Sequence, residues 1–341
     1  MNTTRSGPRS ARGRRSRRGL AAIALGAVAT LGLAACGSDG SGATSSGDAG
    51  ASGDAGATTS SFDSGDATYD GIVNGGPTAD DATIAANEWA SAVKASGTLR
   101  VGGTKTSTLF SLEDPTTGKV TGFDAGLTQL LAKYILGDAA KTEVTQVSVD
   151  TREELLVNKQ VDLVAATYSI TPERLERVDF AGPYYSSASG ILVKKDNTDI
   201  TGVDDLAGKT VATQAASTGE TTLAQYAPDA KVLALPDHAQ CVQAVQQGRA
   251  DAYVIDQSLL LNAVTANDDV KVVGGTFGSE DLYGIGLPKG SDAEQFVNDF
   301  LKKIEDDGTW LKLWQATIQA KTGVETEPTP PAIGVSADGQ S

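Results

Sequence analysis

Apolar residues are spread unevenly along the chain, and their spacing divides it into four stretches. Near the start, the run Gly19 to Ala35 is apolar, 17 residues long and rich in Ala and Gly, too short and too weakly hydrophobic for a permanent membrane span. From Gly37 to about Asp81 large apolar side chains almost vanish, leaving Gly, Ser, Ala, Thr and Asp. Such a composition cannot offset the entropy of ordering and reads as a tether. Some 45 residues of this kind reach roughly 35 to 40 Å on average.

Order is expected from Ile84. After Gly97, short β-type runs alternate with helical stretches, the pattern of an α/β fold. Thr98 to Val101 is the first strand, and Gly122-Phe123-Asp124 opens a helix in which Leu127, Leu130, Leu131, Tyr134 and Ile135 recur at helical spacing. Asp150 is placed to cap a helix over Thr151 to Lys159, and Val161 to Ala166 reads as a buried strand. A second cycle follows: strands at Gly190 to Lys194, Thr210 to Thr213, Val232 to Leu235 and Ala252 to Ile255, with helices from Thr218 and over Asp237 to Gln247. Helices over Ala293 to Asp306 and Thr309 to Ala320 close the ordered part. The Pro- and Glu-rich remainder, 326–341, reads as a disordered tail. Two similar cycles point to two lobes.

Charge and cysteine content change this picture at the N-terminus. Seven arginines and no acidic residue precede the apolar run, the layout of an export signal. Removing residues 1–35 takes the formal charge from −15 to −22, which excludes a nucleic-acid partner. Leu33-Ala34-Ala35-Cys36 resembles the lipobox of bacterial lipoproteins, which implies lipidation of Cys36 and an anchor on the extracytoplasmic face of the cell membrane. Ser16-Arg17-Arg18 also resembles a twin-arginine signal. Cys241 is the one other cysteine, so no internal disulfide remains, and it is expected as a buried free thiol.

Three stretches carry candidate chemistry. In Val161 to Tyr185, a buried strand empties into a loop and then a helix with Thr171 as N-cap and Pro172 at the first position. Arg174 falls in the first turn, where the helix dipole disfavours a cation. It therefore calls for an anion: a free carboxylate gripped together with the Ser169 hydroxyl, or a surface ion pair with Glu173 or Glu176. Thr210 to Glu220 is a strand, a small-residue loop and a helix start at Ser217-Thr218, suited to an anion or simply to capping. Asp256 ends the apolar run Ala252 to Ile255, where a carboxylate is costly unless paired; it binds a cation or caps the next helix.

The stretch around Ser169 to Arg174 closely resembles the signature of the polar amino-acid-binding proteins of ABC importers, over about Gly97 to Gln319. The resemblance implies a two-lobed type II periplasmic-binding fold with two hinge crossovers and a ligand cleft, lobe 1 being 84–187 plus 285–325 and lobe 2 being 188–284. By the same resemblance Arg174 grips the α-carboxylate of an amino acid, helped by Ser169, by backbone groups near Ala166 and Thr167, and by Ser217 and Thr218 from the second lobe. Asp256 binds the α-ammonium. The family usually has Gly at the position of Ala216. His238 stands where acidic amino-acid-binding relatives carry a histidine and Lys105 where glutamate-binding members carry a cation, so glutamate is the favoured ligand, with Phe110 as an apolar wall. His238 as a cap or surface residue, and Phe110 as ordinary core, remain open.

The implied partners are an ABC permease and its ATPase, the chain acting as a monomer without a cofactor. Binding lobes of signalling systems and cyclohexadienyl dehydratases share the fold; Glu113 is the one acid nameable for the latter. Other enzyme signals fail: Gly208-Lys209-Thr210 lacks the glycine a phosphate loop needs at 203, where Val203 stands, and a single histidine builds no histidine-rich metal site.

Overall fold

The computed structural model describes residues 68–334. The export signal, Cys36 and the tether to residue 67 lie outside the described residues, as does the tail from 335. Eleven strands are present among those described: β1 (Leu99–Gly103), β2 (Thr106–Ser107), β3 (Ser111–Glu113), β4 (Val120–Thr121), β5 (Thr142–Gln146), β6 (Leu163–Val164), β7 (Val178–Lys194), β8 (Thr210–Gln214), β9 (Lys231–Leu235), β10 (Ala252–Asp256) and β11 (Val270–Pro288). Eight form one sheet in the order β5-β1-β6-β11-β7-β10-β8-β9, and β2, β3 and β4 form a small separate one.

The long strands β7 and β11 explain the division into lobes. They pair antiparallel along their length, from Val270 opposite Lys194 to Pro288 opposite Val178. One end joins the parallel group β5, β1, β6; the other joins β10, β8, β9. Both strands are more buried toward lobe 1 and less covered in the middle, where β7 reads Tyr185 to Ala188 and β11 reads Gly274 to Glu280. The register also slips there, between Val273 and Phe277 and between Phe277 and Glu280. A segment with small side chains, irregular pairing and little cover is where a two-stranded connector can flex. The type II two-lobed fold is therefore built on this pair.

The tether and the tail are shorter than their composition suggests. Helices Tyr69–Asn74 and Asp81–Ala85 form within 36–83, capped by the side chains of Thr68 and Asp80, and Ile72, Val73 and Ile84 are buried. A third helix, Glu88–Ser96, is held where the Asp292 carboxylate accepts from the N–H groups of Glu88 and Trp89 at 2.6 and 3.0 Å. In 326–334 the tail lies on the body: Ile333 packs against the main core, and the Gly334 N–H donates to the Gly182 carbonyl at 2.8 Å. Few apolar side chains were enough because each lands in a groove already lined by lobe 1. Nor does Asp150 cap its helix; that helix is Arg152–Val157, and Asp150 instead accepts from the Ser148 hydroxyl at 2.5 Å.

Candidate functional site

The cleft begins at the C-terminal ends of the parallel strands, where open α/β sheets place ligands. β6 ends at Val164 and leads into Ala165-Ala166-Thr167, a loop shaped by a strained residue: Thr167 has φ of 43°, rare for a β-branched side chain. What holds it is Asp124, a buried carboxylate in the first turn of the helix Phe123–Leu136. Its Oδ2 accepts from the Thr167 N–H at 2.8 Å and its Oδ1 from the Tyr184 hydroxyl at 2.8 Å. Burial pushes the Asp124 carboxyl up to about 7, opposed by those two bonds and by the Arg152 charge. That helix is drawn against Phe110 so closely that a Cβ on Gly122 (φ 135°) would sit 2.4 Å from the Phe110 carbonyl; only glycine fits.

Arg174 is buried, in the short helix Pro172–Leu175 with Thr171 as N-cap. It is not paired with Glu173 or Glu176. Its Nη1 donates to the Ser169 carbonyl at 2.7 Å and its Nη2 to the Ala216 carbonyl, on the other lobe, at 3.3 Å. Ala216 has φ of 59°, a left-handed conformation natural to glycine. Ser217 follows as N-cap of Thr218–Tyr226, accepting from the Gly219 N–H at 3.2 Å and donating to the Gln214 carbonyl at 2.6 Å. Asp256 closes the group at the end of β10. Its side chain does not cap the following helix, Gln257–Ala266. Oδ2 accepts from the Tyr283 hydroxyl at 2.6 Å, and Oδ1 is buried without a partner among the described residues. Burial first, then the neighbouring Asp281 carboxylate, raise Asp256 well above the ordinary range. Ser169, Arg174, Ser217, Thr218 and Asp256 line one narrow recess.

Opening from this recess is a cavity of about 430 Å³, sharing Arg152, Thr167 and Gln214 with it. Gln146, Asp237, His238 and Asn262 are among the other polar and charged residues of its wall, with Ala166 beside Thr167. Arg152 is the element that sequence reading missed. It is 3 % exposed, its Nη1 donates to the Ala166 carbonyl at 3.0 Å, and its guanidinium lies over the Tyr168 ring at 3.8 Å. Its Nε has no partner among the described residues. Burial, then repulsion from Arg174, lower its pKa to about 9, so it remains a cation at neutral pH. His238 begins the helix His238–Gln246; it is half-buried, and Nδ1 lies 3.1 Å from the Tyr253 hydroxyl. Burial lowers it to about 4, so it is neutral, a hydrogen-bond partner rather than a cation.

Two expected residues lie elsewhere. Lys105 pairs with Glu113 at 3.2 Å and both line a separate groove. Lys105 lies in the bend between β1 and β2, and there Thr104, Thr106 and Ser107 line the cavity while Lys105 turns to Glu113. The same pairing removes Glu113 from the cleft as an acid. Phe110 is 1 % exposed in the core of lobe 1, edge-on to Tyr185 and Tyr283 at 5.7 and 6.3 Å. Cys241 is buried, and burial pushes its thiol up to about 12. Among the described residues no cluster of three metal-ligating side chains is present, and no helix is long and apolar enough to cross a membrane.

Comparison with known proteins agrees with this geometry. Residues 99–319 match the model of the bacterial extracellular solute-binding proteins, family 3. The ABC transporter glutamine-binding protein GlnH of Bacillus subtilis is 34% identical over 220 residues, 64% of this chain and 80% of the relative. The glutamate-binding protein GluB of Corynebacterium efficiens is 30% identical over 223 residues, 62% of this chain and 76% of the relative. Among solved structures, a solute receptor for L-cysteine of Neisseria gonorrhoeae superposes with a TM-score of 0.66 at 28% identity, covering 70% of this chain and 97% of that one. These relatives are binding proteins. With the matched segment spanning both lobes and the cleft between them, the chain belongs to the bacterial extracellular solute-binding proteins, family 3.

Proposed function

We propose that this chain is the solute-binding component of an amino-acid ABC importer, held on the outer face of the cell membrane by a lipid on Cys36, and that its ligand is glutamate. The recess supplies what an α-amino acid needs: the fork of Arg174 with Ser169, Ser217 and Thr218 for the carboxylate, and the unpartnered Oδ1 of Asp256 for the ammonium. The observation that favours glutamate is Arg152. A second buried guanidinium, with an open Nε, faces the cavity into which the ligand's side chain would extend. A buried guanidinium is costly while its Nε–H is unpaired, and a side-chain carboxylate on the ligand would pair it. Neutral His238, with the Tyr253 hydroxyl donating to Nδ1, would offer Nε2–H to the same side-chain carboxylate. Gln214 adds an amide.

Capture is by closure of the lobes about β7 and β11, and the closed form is what the permease and its ATPase receive. The chain acts as a monomer on its tether, and no covalent chemistry is assigned to it. The test is calorimetric titration of the full chain with glutamate, glutamine, aspartate, asparagine, arginine and cystine. Tightest binding of glutamate is expected. Preference for glutamine would remove the role given to Arg152 while keeping amino-acid capture, and no binding of any would overturn the importer reading.

A further inference from the structure

One hydrogen bond crosses the mouth of the cleft and belongs to neither the ligand recess nor the hinge. Asn262 lies in the helix Gln257–Ala266, which follows β10 and packs on the lobe of β8, β9 and β10. It is 4 % exposed. Its Oδ1 accepts from the backbone N–H of Leu109 at 2.9 Å, with the Ser107 hydroxyl at 3.5 Å. Ser107 and Leu109 belong to the other lobe, just beyond β1. The Leu109 amide is held rigidly there: its own carbonyl accepts from the Phe123 N–H at 2.9 Å, and the next carbonyl, that of Phe110, accepts from Ala125 at 3.1 Å. A fixed donor on one lobe thus meets a buried acceptor on the other, at the rim of the cavity that Asn262 itself lines.

We infer that Asn262 is a closure latch: it stabilises the closed arrangement of the lobes through the Leu109 amide and so tightens capture of any amino acid the recess accepts. The physics is that of a bond made in one state only. When the lobes part, both groups return to water, so the bond counts toward closure by its net value rather than its full strength. The affinity of a two-state clamp scales with the population of its competent form. The latch therefore raises affinity by about 2- to 12-fold, the range a net hydrogen bond spans. It does so for every ligand, because its Oδ1 is engaged by the opposite lobe at the cavity rim. The inference rests on the two-lobed clamp and is independent of which amino acid is carried.

Asn262→Ala and Asn262→Asp test it in the full chain. For the distance measurement, Glu143→Cys on β5 and Lys231→Cys on β9, both exposed and on opposite edges of the sheet, carry spin labels in a Cys36→Ser background, with Cys241 buried. In ligand-stripped protein, Asn262→Ala should shift the interlobe distance toward longer values, while Asn262→Asp, which keeps the acceptor, should retain the parent distribution. Titrations with glutamate and glutamine should both weaken by about the same 2- to 12-fold factor in Asn262→Ala. An unchanged distance, an opening in Asn262→Asp as large as in Asn262→Ala, or a changed ratio between the two ligands would overturn the latch. Should neither ligand bind, the glutamate reading fails and the distance measurement decides the latch alone.

Discussion

The inner recess and the outer cavity of the cleft adjoin, and they differ in what holds their functional groups. The recess draws Ser169, Arg174, Ser217, Thr218 and Asp256 from strand ends and helix starts, so the backbone fixes each of them. The outer cavity also takes Arg152 and His238 from helix starts and Gln214 from a strand end, but its functional groups are held by side-chain contacts such as the Tyr168 ring under Arg152 and the Tyr253 hydroxyl at His238. A backbone-built site reads what all amino acids share. A side-chain-built wall can vary without disturbing the fold, and that is where specificity belongs.

The largest effect should come from the recess. Arg174→Ala removes the charge proposed to grip the α-carboxylate and frees the carbonyls of Ser169 and Ala216. The expected loss is about 2 to 5 kcal/mol of binding for every amino acid tested. Calorimetric titration checks it; a loss of tenfold or less, about 1.4 kcal/mol, would mean that the recess does not hold the carboxylate.

The outer wall should respond selectively. Arg152→Met keeps an apolar stem over Tyr168 and deletes the charge, and glutamate should weaken by about 1.5 to 3 kcal/mol, the worth of a charged hydrogen bond, while glutamine is nearly unaffected. Equal losses for both ligands would erase the distinction between the two regions and make Arg152 a support for the Ala166 loop.

The contrast also explains what could be read in the sequence. Ser217, Thr218 and Asp256, far along the chain, were joined to Arg174 only by the family resemblance, while around Arg174 itself a local frame was legible, with Thr171 as cap, Pro172 at the first helical position and an arginine where a helix start disfavours one. Arg152 was not, because in Arg152-Glu153-Glu154 it resembles a solvated helix face; its burial depends on Tyr168 and on β6 arriving from another part of the chain. Lys105 and Phe110 were placed by nearness to a strand end, but the bend between β1 and β2 carries Lys105 to Glu113, away from the cleft. Asp124 read as part of a helix opening, with nothing in the local sequence to show that it would hold Thr167. The helices before residue 84 were hidden by a small-residue composition whose few apolar side chains, Ile72 and Val73, find their partners only in the folded lobe.

Acid should separate the two regions without mutation. In the recess, Asp256 is raised well above the ordinary carboxylate range by burial and Asp281. Pairing with the ligand's ammonium requires its anion, so binding expels a proton and affinity should rise with pH, by at most about tenfold per unit. In the outer wall, His238 with a pKa of about 4 is already neutral above pH 5. It should therefore add no loss of affinity as pH rises through the usual histidine range. Titration at several pH values between 5 and 8 checks both signs. Affinity that falls with rising pH around 6.5 would make His238 a cation after all.

The smallest effect lies at the boundary of the two regions, at Ala216. With φ of 59° it holds a conformation that costs a residue with a Cβ about 1 kcal/mol or more relative to glycine. Its N–H donates to Glu220 Oε2 at 2.9 Å and its carbonyl accepts from Arg174, so the surroundings enforce that conformation from both sides. Ala216→Gly keeps both backbone bonds and removes the Cβ. Part of the relief is offset because glycine widens the unfolded ensemble, leaving an expected gain of about 0.5 to 1 kcal/mol in stability. For a domain of this size that is a rise of about 1 to 4 °C in Tm, with little change in affinity because the Arg174 contact is retained. A thermal melt that falls instead would show that the alanine methyl contributes packing at the Arg174 contact that outweighs the backbone strain.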